Sequence, residues 1–467
     1  MFFELVYDKS LAQASYVVGC QAGGVAAVID PKRDVDTYLQ IAKANNMKIT
    51  HILETHIHAD FLSGSRELAA LTGADMYLSD MGDENWKYEF PHKKLRHGDR
   101  VKLGNLNFDV LHTPGHTPES ISFLLTDTPA SQEPVMLFTG DFVFVGDVGR
   151  PDLLEQAAGL KGTQDIGAAQ MFDSLQEFNK LQEFIQVWPG HGAGSACGKS
   201  LGAVPMSTVG YEKIRNWAMQ LLDDKAAFSK ELLADQPEPP RYFAMMKKLN
   251  KVDRKLLTEV PKIENLSKQA FEQAEKEGMK IIDTRTPEAF SKGFLKGSLN
   301  IANNNSFSTW MGWYMNYEES FVLIADQAEV DDLTRKLMRI GLDNLHGFIT
   351  PEQLQQYKGQ ALESYQPVTI ETVEALLDEG KAQVVDVRGA AEFKKGHIEG
   401  ADNLFVGKLD KNLDKVSKEK PVVVHCQSGG RAAIAYSLLR AHGFDNVSNY
   451  AGGWEDWSRK KEKATAE

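Results

Sequence analysis

The chain has 467 residues, of which 42% are hydrophobic and 25% charged, a composition typical of a globular protein with about three domains. Its 65 acidic and 52 basic residues leave a net charge of -13, which argues against nucleic-acid binding and against docking on an anionic membrane. The chain shows no export signal and no transmembrane run, and its three distant cysteines do not form a disulfide framework. We therefore expect a cytoplasmic protein whose thiols are reduced.

The first predicted domain, residues 1–245, alternates short apolar strands with amphipathic helices. Residues 16–30 predict a β-hairpin because two β-rich runs flank a Gly-Gly turn. Residues 36–46 have helical spacing, and residues 48–55 have the composition of a buried strand. Prolines cluster in residues 234–251, where we predict a linker.

Short loops of the first domain carry an ordered set of histidine, aspartate and arginine side chains. The set comprises His56, His58 and Asp60 in THIHADF, His116 in TPGHT, Asp141 in TGD, Arg150 in GRPD and His191 in PGHG. Histidine nitrogens and carboxylate oxygens are ligands for zinc, iron or manganese. Because loops that follow strands can converge at one sheet edge, the set predicts a metal site rather than separate loop histidines.

In this order, the four motifs THIHADF, TPGHT, TGD and PGHG resemble the metallo-β-lactamase superfamily over about residues 1–235. The resemblance implies a four-layer αββα sandwich with the metal at one end, between the two sheets. Hydrolases of the superfamily usually continue the first motif as His-X-His-X-Asp-His, but Phe61 occupies the place of the last histidine here. A phenyl ring supplies no lone pair, so a second metal site loses a ligand.

The remaining set of His56, His116 and Asp141 combines two imidazoles with one carboxylate. Such a set with open coordination positions favours one non-haem Fe(II) per chain. The pattern is similar to the persulfide dioxygenases of the superfamily, which implies that the domain oxidises a low-molecular-weight thiol persulfide with O2 to sulfite and free thiol.

Under this resemblance, the other polar residues of the set have supporting roles. His58, Asp60 and His191 are expected to orient the ligands or face the substrate, although one of them could instead ligate the metal. Arg150, in the Gly-Arg-Pro-Asp element, is expected to bind the substrate. Cys197, six residues after His191, is either a small buried side chain or a thiol that relays sulfur.

The rest of the chain contains a degenerate internal repeat. Residues 279–301 and 382–404 both show a strand, Asp-X-Arg, a helix ending in Phe-X-Lys-Gly and an Asn-containing turn. This many matches in one order indicate a duplication. Because strands alternate with helices in both copies, we predict α/β domains with mostly parallel sheets at 262–360 and 367–460.

The last copy contains a Gly-rich loop between a strand and a helix, VVVHCQSGGRAAIAY. Cys426 opens the loop and Arg431 closes it, and inward-pointing N–H groups together with the helix N-terminus favour a nucleophilic thiolate. Cysteine phosphatases need a loop longer by one residue. The shorter loop resembles that of the rhodanese sulfurtransferases over about residues 367–458, which implies that Cys426 carries sulfane sulfur and that Arg431 belongs to the catalytic loop.

The middle copy departs from the rhodanese pattern. Ala325-Asp326 stands where the cysteine should be, and the aligned stretch FVLIADQAEVDD has no glycines and no closing arginine. We interpret residues 262–360 as an inactive rhodanese-like module that serves packing or the contacts of an expected homo-oligomer. Core packing is also favoured over a contact surface for its aromatic residues Trp310, Trp313, Tyr314 and Tyr317.

The whole chain resembles the multidomain persulfide dioxygenase–rhodanese fusions of bacterial sulfide detoxification. The resemblance implies that the first domain makes sulfite and that Cys426 transfers sulfane sulfur to it, giving thiosulfate; the reverse flow of sulfur fits equally well. The carrier thiol, of the glutathione, coenzyme A or bacillithiol type, stays open.

Two alternatives remain at this point. A glyoxalase II-like zinc thioester hydrolase fused to a rhodanese is disfavoured by Phe61. A non-catalytic sulfur carrier or sensor is disfavoured because all three predicted metal ligands are present.

Overall fold

The computed structural model describes residues 1–153, 155, 162–356 and 362–466. These residues divide into two compact units, Met1–Pro261 with Arg335–Gly341, and Lys262–Thr334 with Leu342–Glu467. Among the described helices, none combines the length and the apolar character that a membrane crossing requires.

The first unit contains two six-stranded sheets. The strands of the first sheet are β1 (Phe2–Asp8), β2 (Gln13–Cys20), β3 (Val25–Ile29), β4 (Lys48–Leu53), β5 (Asp75–Ser79) and β6 (Lys93–Leu95). They lie side by side in chain order; β1, β2 and β3 pair antiparallel, and β3 to β6 pair parallel. The hairpin and the strand predicted in this region are therefore present as β2–β3 and β4.

The second sheet supplies the other half of the sandwich. Its strands are β7 (Arg100–Leu103), β8 (Leu106–His112), β9 (Ile121–Asp127), β10 (Met136–Gly140), β13 (Gln186–Pro189) and β14 (Ser207–Thr208), while β11 (Val143–Phe144) and β12 (Asp147–Val148) form a separate ribbon. The spatial order is β14-β13-β10-β9-β8-β7, with β10 and β13 parallel and the other neighbours antiparallel.

Helices cover the outer faces of both sheets. Among the described helices of the first 261 residues are α1 (Asp36–Ala44), α2 (Ser65–Thr72), α3 (Thr163–Phe178), α4 (Val209–Arg215), α5 (Lys225–Leu233) and α6 (Phe243–Lys251). Tyr38 of α1 and Leu68 of α2 pack in the core on the first sheet, and Met171 and Leu175 of α3 pack in the core on the second.

The core between the two sheets comes from side chains that alternate along the strands. In β8, Leu106, Phe108 and Val110 are buried while the intervening residues are partly exposed. Phe108 meets Phe123 and Phe138 of its own sheet and Tyr16 of the first sheet in one cluster. Burial of each such side chain contributes about 1.5–3 kcal/mol, so the two sheets are held face to face. The αββα sandwich predicted for this region is confirmed.

The predicted linker at 234–251 is wrong in its second half, where α6 forms. The prolines end at Pro240, and the following residues have amphipathic spacing, with Phe243, Met246 and Asn250 buried on one face. The composition of the proline cluster concealed this helical periodicity.

The second unit contains two four-stranded parallel sheets. Their strands are β15 (Lys280–Asp283), β16 (Leu299–Asn300), β17 (Phe321–Ile324), β18 (Leu345–Ile349), β19 (Gln383–Asp386), β20 (Asp402–Asn403), β21 (Val422–His425) and β22 (Val447–Tyr450). The orders are β16-β15-β17-β18 and β20-β19-β21-β22. The same permutation in both sheets fits the duplication inferred from the sequence, and the predicted parallel sheets are confirmed.

The helices after residue 262 flank these two sheets. They are α7 (Lys268–Lys276), α8 (Pro287–Ser291), α9 (Phe307–Tyr314), α10 (Val330–Met338), α11 (Pro351–Gln356), α12 (Ile370–Asp378), α13 (Ala390–Lys395), α14 (Gly430–Ala441) and α15 (Gly453–Ala466). Short 3₁₀ turns lie at Gln21–Gly23, Glu84–Trp86, Ala218–Leu221, Gln327–Glu329, Val406–Lys411 and Leu413–Lys415. Of the predicted module 262–360, residues 357–360 lie outside the described part of the chain.

Helix α9 joins the two copies within the second unit. Trp313 is buried, with its ring 5.5 Å from that of Phe405, and the Tyr314 hydroxyl donates to the Val406 carbonyl. Trp313 and Tyr314 of α9 are therefore buried inside the unit, in agreement with the prediction of core packing. The residues that they contact, however, belong to the other copy. Trp310, on the same helix, is only half-buried.

Candidate metal centre and sulfur-transfer loop

The structure brings His56, His116 and Asp141 together. His56 follows β4, His116 lies in the loop after β8, and Asp141 directly follows β10, so strands of both sheets deliver the three side chains to one end of the sandwich. One ligand atom of each lies within 4.8 Å of the others, and all three residues are buried. The Nε2 atoms of His56 and His116 lie 3.9 and 3.4 Å from Oδ2 of Asp141.

Hydrogen bonds fix the orientation of both imidazoles. The Thr55 hydroxyl donates to Asp30, so it accepts from Nδ1 of His56 at 2.9 Å, and Nδ1 of His116 donates to the Arg150 carbonyl at 2.9 Å. Each ring therefore directs an Nε2 lone pair inward. Burial lowers the pKa of both His56 and His116, which keeps the imidazoles neutral as metal binding requires.

Unsatisfied atoms at this point fit a cation. Nε2 of His56 and Oδ2 of Asp141 are buried without a hydrogen-bond partner among the described residues. Leaving a buried polar atom unpaired costs about 1–3 kcal/mol. Two imidazole lone pairs and one carboxylate oxygen that converge in this way form a candidate metal site, which we call the triad.

His191 lies behind the triad, between two carboxylates. Its Nδ1 donates to Oδ1 of Asp141 and its Nε2 to Oδ2 of Asp60, both at 2.7 Å. Burial alone would lower the pKa of His191, but Asp141 and Asp60 raise it to about 10. The imidazolium holds Asp141 by Oδ1 and leaves Oδ2 for the triad. Asp60, His191 and Cys197 also offer ligand atoms within 4.8 Å of one another, but both nitrogens of His191 are engaged here.

His58 belongs to a third buried cluster that sequence reasoning did not find. Its Nε2 lies 3.1 Å from Glu54 and 3.2 Å from Asp30. Burial would lower the pKa of His58, but these two carboxylates hold it well above the ordinary value. The His58 ring centroid is 4.2 Å from that of His56, so this cluster supports the wall of the triad. Asp30 and Glu54 each follow the end of a strand, and no local sequence motif indicates that they pair with His58.

Phe61 fills the place that the superfamily pattern gives to a histidine. It is fully buried, with its ring 4.3 Å from that of His58. Asn250 of α6 fixes this loop, because its amide donates to the carbonyls of His58 and Phe61 and its Oδ1 accepts from Ser63 N–H, each at 2.8 Å. Asn250 was missed because it is about 190 residues away in sequence, within the segment interpreted as a linker.

Arg150 and Cys197 are both buried beside the centre. The Arg150 guanidinium donates to both oxygens of Asp152 at 2.7 and 2.6 Å and to the carbonyls of Ala196 and Pro237. These contacts leave the Arg150 side chain no solvent-exposed surface. Direct binding of the substrate by Arg150 therefore stays a prediction, and this geometry does not favour it. Burial raises the pKa of the Cys197 thiol well above its usual value, so Cys197 is a neutral thiol.

A cavity of about 720 Å³ opens beside the triad. His116 lies in its wall, and its apolar surface comes from Trp86, Pro118, Pro151 and Ile166. The volume is within the range of about 300–1,000 Å³ that organic ligands occupy.

Cys426 lies in a tight loop between β21 and α14. Its Sγ accepts from Gly429 N–H at 3.1 Å, as the sequence-based interpretation of an anion-binding loop requires. Gly429 has φ 96°, a left-handed conformation that favours glycine. A Cβ on Gly453 would lie 2.4 Å from the Cys426 carbonyl, which explains the glycine pair before Trp454.

Arg431, at the end of the loop, is paired with a residue that the motif did not indicate. Its guanidinium donates to both carboxylate oxygens of Glu392, at 2.5 and 2.7 Å. Arg388, of the Asp-X-Arg element, is held in the same way by Asp386 and also reaches Gln427 of the loop. One fixed guanidinium group, that of Arg431, therefore lines the cavity with Cys426, and a second, that of Arg388, holds the neighbouring Gln427.

Comparison with known proteins defines the family. The metallo-beta-lactamase superfamily model matches residues 10–191, and the rhodanese-like domain model matches residues 267–348 and 369–460. A metallo-beta-lactamase structure from Staphylococcus aureus subsp. aureus COL is 45% identical, with a TM-score of 0.70, and the alignment covers 75% of this chain and 99% of that one. The chain belongs to the metallo-β-lactamase superfamily. It carries tandem rhodanese-like domains after the metallo-β-lactamase domain, as the motifs predicted.

Other relatives match the metallo-β-lactamase domain. Hydroxyacylglutathione hydrolase of Rhodospirillum rubrum is 35% identical over 38% of this chain, and the match covers 60% of that hydrolase. The structure of ETHE1 from Myxococcus xanthus is 28% identical, with a TM-score of 0.39, over 50% of this chain and 96% of that one. The metallo-β-lactamase fold binds metal ions, and the triad is one of the clusters of described residues that offer ligands.

Proposed function

We propose that the metallo-β-lactamase domain, residues 1–245, is an Fe(II) persulfide dioxygenase with one iron per chain. The last domain, residues 367–460, is then a sulfurtransferase whose Cys426 passes sulfane sulfur to sulfite. The observation that carries this proposal is the triad with Phe61 beside it, in the same chain as a Gly-rich loop whose Gly429 N–H donates to the Cys426 thiol.

The triad favours iron over a pair of zinc ions. Two imidazoles and one carboxylate on one side leave open positions for further ligands. A ferrous ion bound there would bring dioxygen and the substrate sulfur together and would relay electrons from the sulfur to the oxygen. Phe61 contributes no lone pair, and its ring is fully buried beside His58.

The residues around the triad prepare it for this role. Thr55 and the Arg150 carbonyl set the tautomers of His56 and His116, and His191 restricts Asp141 to binding through Oδ2. A ligand set held in this way needs little rearrangement when the metal binds.

The substrate is an organic persulfide of the glutathione, coenzyme A or bacillithiol type. The cavity beside His116 has room for more than the sulfur atoms, and its apolar walls at Trp86, Pro118 and Ile166 suit the organic part of the carrier thiol. The reaction consumes persulfide, O2 and water and yields free thiol and sulfite.

The Cys426 domain consumes the sulfite. In the proposed step, the sulfur of sulfite attacks the terminal sulfur of a Cys426 persulfide, in the loop where Gly429 N–H donates to Sγ. The S–S bond breaks, the Cys426 thiolate leaves, and thiosulfate forms. Fusion of the two domains raises the local concentration of sulfite at the second site.

A zinc thioester hydrolase fused to a rhodanese is the second candidate, because the hydroxyacylglutathione hydrolase of R. rubrum matches the first domain. To separate the two functions, the full chain is reconstituted with iron or with zinc and assayed on glutathione persulfide and on S-lactoylglutathione. The dioxygenase proposal predicts persulfide-dependent oxygen uptake by the iron form alone. If the zinc form hydrolyses the thioester and the iron form consumes no oxygen, the dioxygenase proposal is wrong and the first domain is a thioester hydrolase.

A further inference from the structure

The cavity at Cys426 is built from both rhodanese copies. It has a volume of about 370 Å³ within the second unit. Cys426, Ser428 and Arg431 line it from the last copy, and Asn304, Ser306 and Trp310 line it from the middle copy. The copy without a thiol therefore contributes a wall to the site of the copy that has one.

Packing fixes this wall in place. On helix α9, Trp313 packs on Phe405 and the Tyr314 hydroxyl donates to the Val406 carbonyl. Trp310, one turn earlier on the helix, stays half-buried at the cavity with its ring 6.3 Å from that of Phe405. Its position is therefore set by contacts that do not involve a ligand.

The size and chemistry of the cavity indicate an organic ligand. Sulfite and cyanide have only a few atoms, whereas about 370 Å³ lies within the range of about 300–1,000 Å³ typical of organic-ligand sites. Around the thiol, the middle copy presents an amide, a hydroxyl and an indole, none of them charged. Such a wall offers hydrogen bonds and an aromatic face to an organic group.

We infer that the middle copy binds the organic part of the thiol persulfide that loads Cys426, and that Trp310 determines specificity for this donor. The inference rests on the proposed sulfurtransferase role of Cys426. In the loading step the Cys426 thiolate attacks the terminal sulfur of R–S–SH. The new S–S bond forms at Cys426, the old S–S bond breaks, R–S⁻ leaves, and the proton stays on the transferred sulfur.

The test compares two donors, glutathione persulfide and thiosulfate, with cyanide as acceptor. The full chain is assayed without oxygen, so that the first domain consumes no persulfide, and the rate of Cys426→Ser is subtracted as background. For a double-displacement reaction, kcat/KM for each donor reports the loading step alone. Thiosulfate carries no organic group and serves as the internal control for an intact loop.

Trp310→Ala should lower kcat/KM for glutathione persulfide about tenfold, the loss expected for one aromatic contact, and leave that for thiosulfate within about twofold. Trp310→Phe should recover most of the kcat/KM for glutathione persulfide that Trp310→Ala loses. Asn304→Leu, on the exposed part of the wall, should lower kcat/KM for glutathione persulfide relative to that for thiosulfate. Asn316→Ala, outside this wall on the same module, is the matched control and should change neither value.

An equal loss for both donors, or no loss for either, would overturn the inference and leave the sulfurtransferase role intact. If the wild-type chain transfers sulfur from neither donor in a Cys426-dependent way, the sulfurtransferase role fails, and the inference fails with it.

Discussion

His191 donates a 2.7 Å hydrogen bond from Nδ1 to Oδ1 of Asp141 and leaves Oδ2 of that carboxylate facing His56 and His116. The other ring nitrogen is held by Asp60. One imidazolium thus holds Oδ1 of Asp141 and leaves Oδ2 for the triad, and the roles of His191 and Asp60 as orienting groups stay predictions.

Removing this hydrogen bond should weaken iron binding. In His191→Ala, Asp141 loses the partner that fixes its rotamer, and loss of such a supporting group typically weakens metal affinity about 10–100-fold. Anaerobic titration of the apoprotein with Fe(II) measures the change. His346→Ala, an exposed histidine of the second unit, is the control and should bind iron as the wild type does. Equal affinities in the two variants would show that Asp141 needs no support.

Loss of a triad residue should abolish both iron binding and oxygen uptake. His116→Ala and Asp141→Ala each leave two of the three ligands, too few to retain the metal through gel filtration. Elemental analysis together with an oxygen electrode checks both expectations. A variant with full iron content would remove the mutated residue from the ligand set.

Arg150→Ala should destabilise the first domain. The substitution removes the guanidinium that pairs with the buried Asp152 carboxylate, and breaking a buried ion pair costs about 3–5 kcal/mol. A lower Tm, with KM for persulfide little changed in the protein that remains folded, is the expected result. An unchanged Tm with a raised KM would instead restore the substrate-binding role that the sequence suggested for Arg150.

Glu119 should make the stability of the first domain depend on pH. Burial raises the pKa of Glu119 from 4.5 to about 7, so the folded protein holds this proton where the unfolded chain has lost it. The contribution of Glu119 to the free energy of unfolding is therefore fully present below pH 4.5 and decreases as the pH rises towards 7. Glu119→Gln keeps an acceptor for Ile57 N–H and should raise Tm relative to wild type more at pH 8 than at pH 5. The same difference in Tm between Glu119→Gln and wild type at pH 5 and at pH 8 would contradict the raised pKa of Glu119.

Cys426→Ser should separate the two activities. A serine hydroxyl cannot hold a persulfide, and the middle copy has Ala325 in place of the cysteine. Oxygen uptake should continue, while the product changes from thiosulfate to sulfite, which ion chromatography resolves. Thiosulfate formed at the wild-type rate would mean that another thiol, with Cys197 the first to examine, carries the sulfur.

The residues that could be predicted from the sequence lie in local motifs. His56, His116, Asp141 and Cys426 follow strands directly or within a short loop, so a short window of sequence contains the physical reason for each position. The parallel sheets followed in the same way from the alternation of strands and helices.

The supporting residues could not be found in this way. Asn250 binds the His58 and Phe61 carbonyls from a helix about 190 residues away, and Glu392 binds Arg431 across 39 residues. Such pairs depend on tertiary packing that no short window specifies. The burial of Arg150 was likewise hidden, because a Gly-Arg-Pro-Asp loop has the same sequence whether its arginine faces solvent or Asp152.

If the triad holds the reactive iron, it supports the oxidation of a persulfide by dioxygen. The most direct measurement uses iron-reconstituted Cys426→Ser with glutathione persulfide, where sulfite is not converted further, and compares the O2 consumed in an oxygen electrode with the sulfite formed. We expect one O2 consumed for each sulfite, and no oxygen uptake in the matched His116→Ala variant. Iron-loaded protein that releases thiol from the persulfide without consuming oxygen would contradict this expectation.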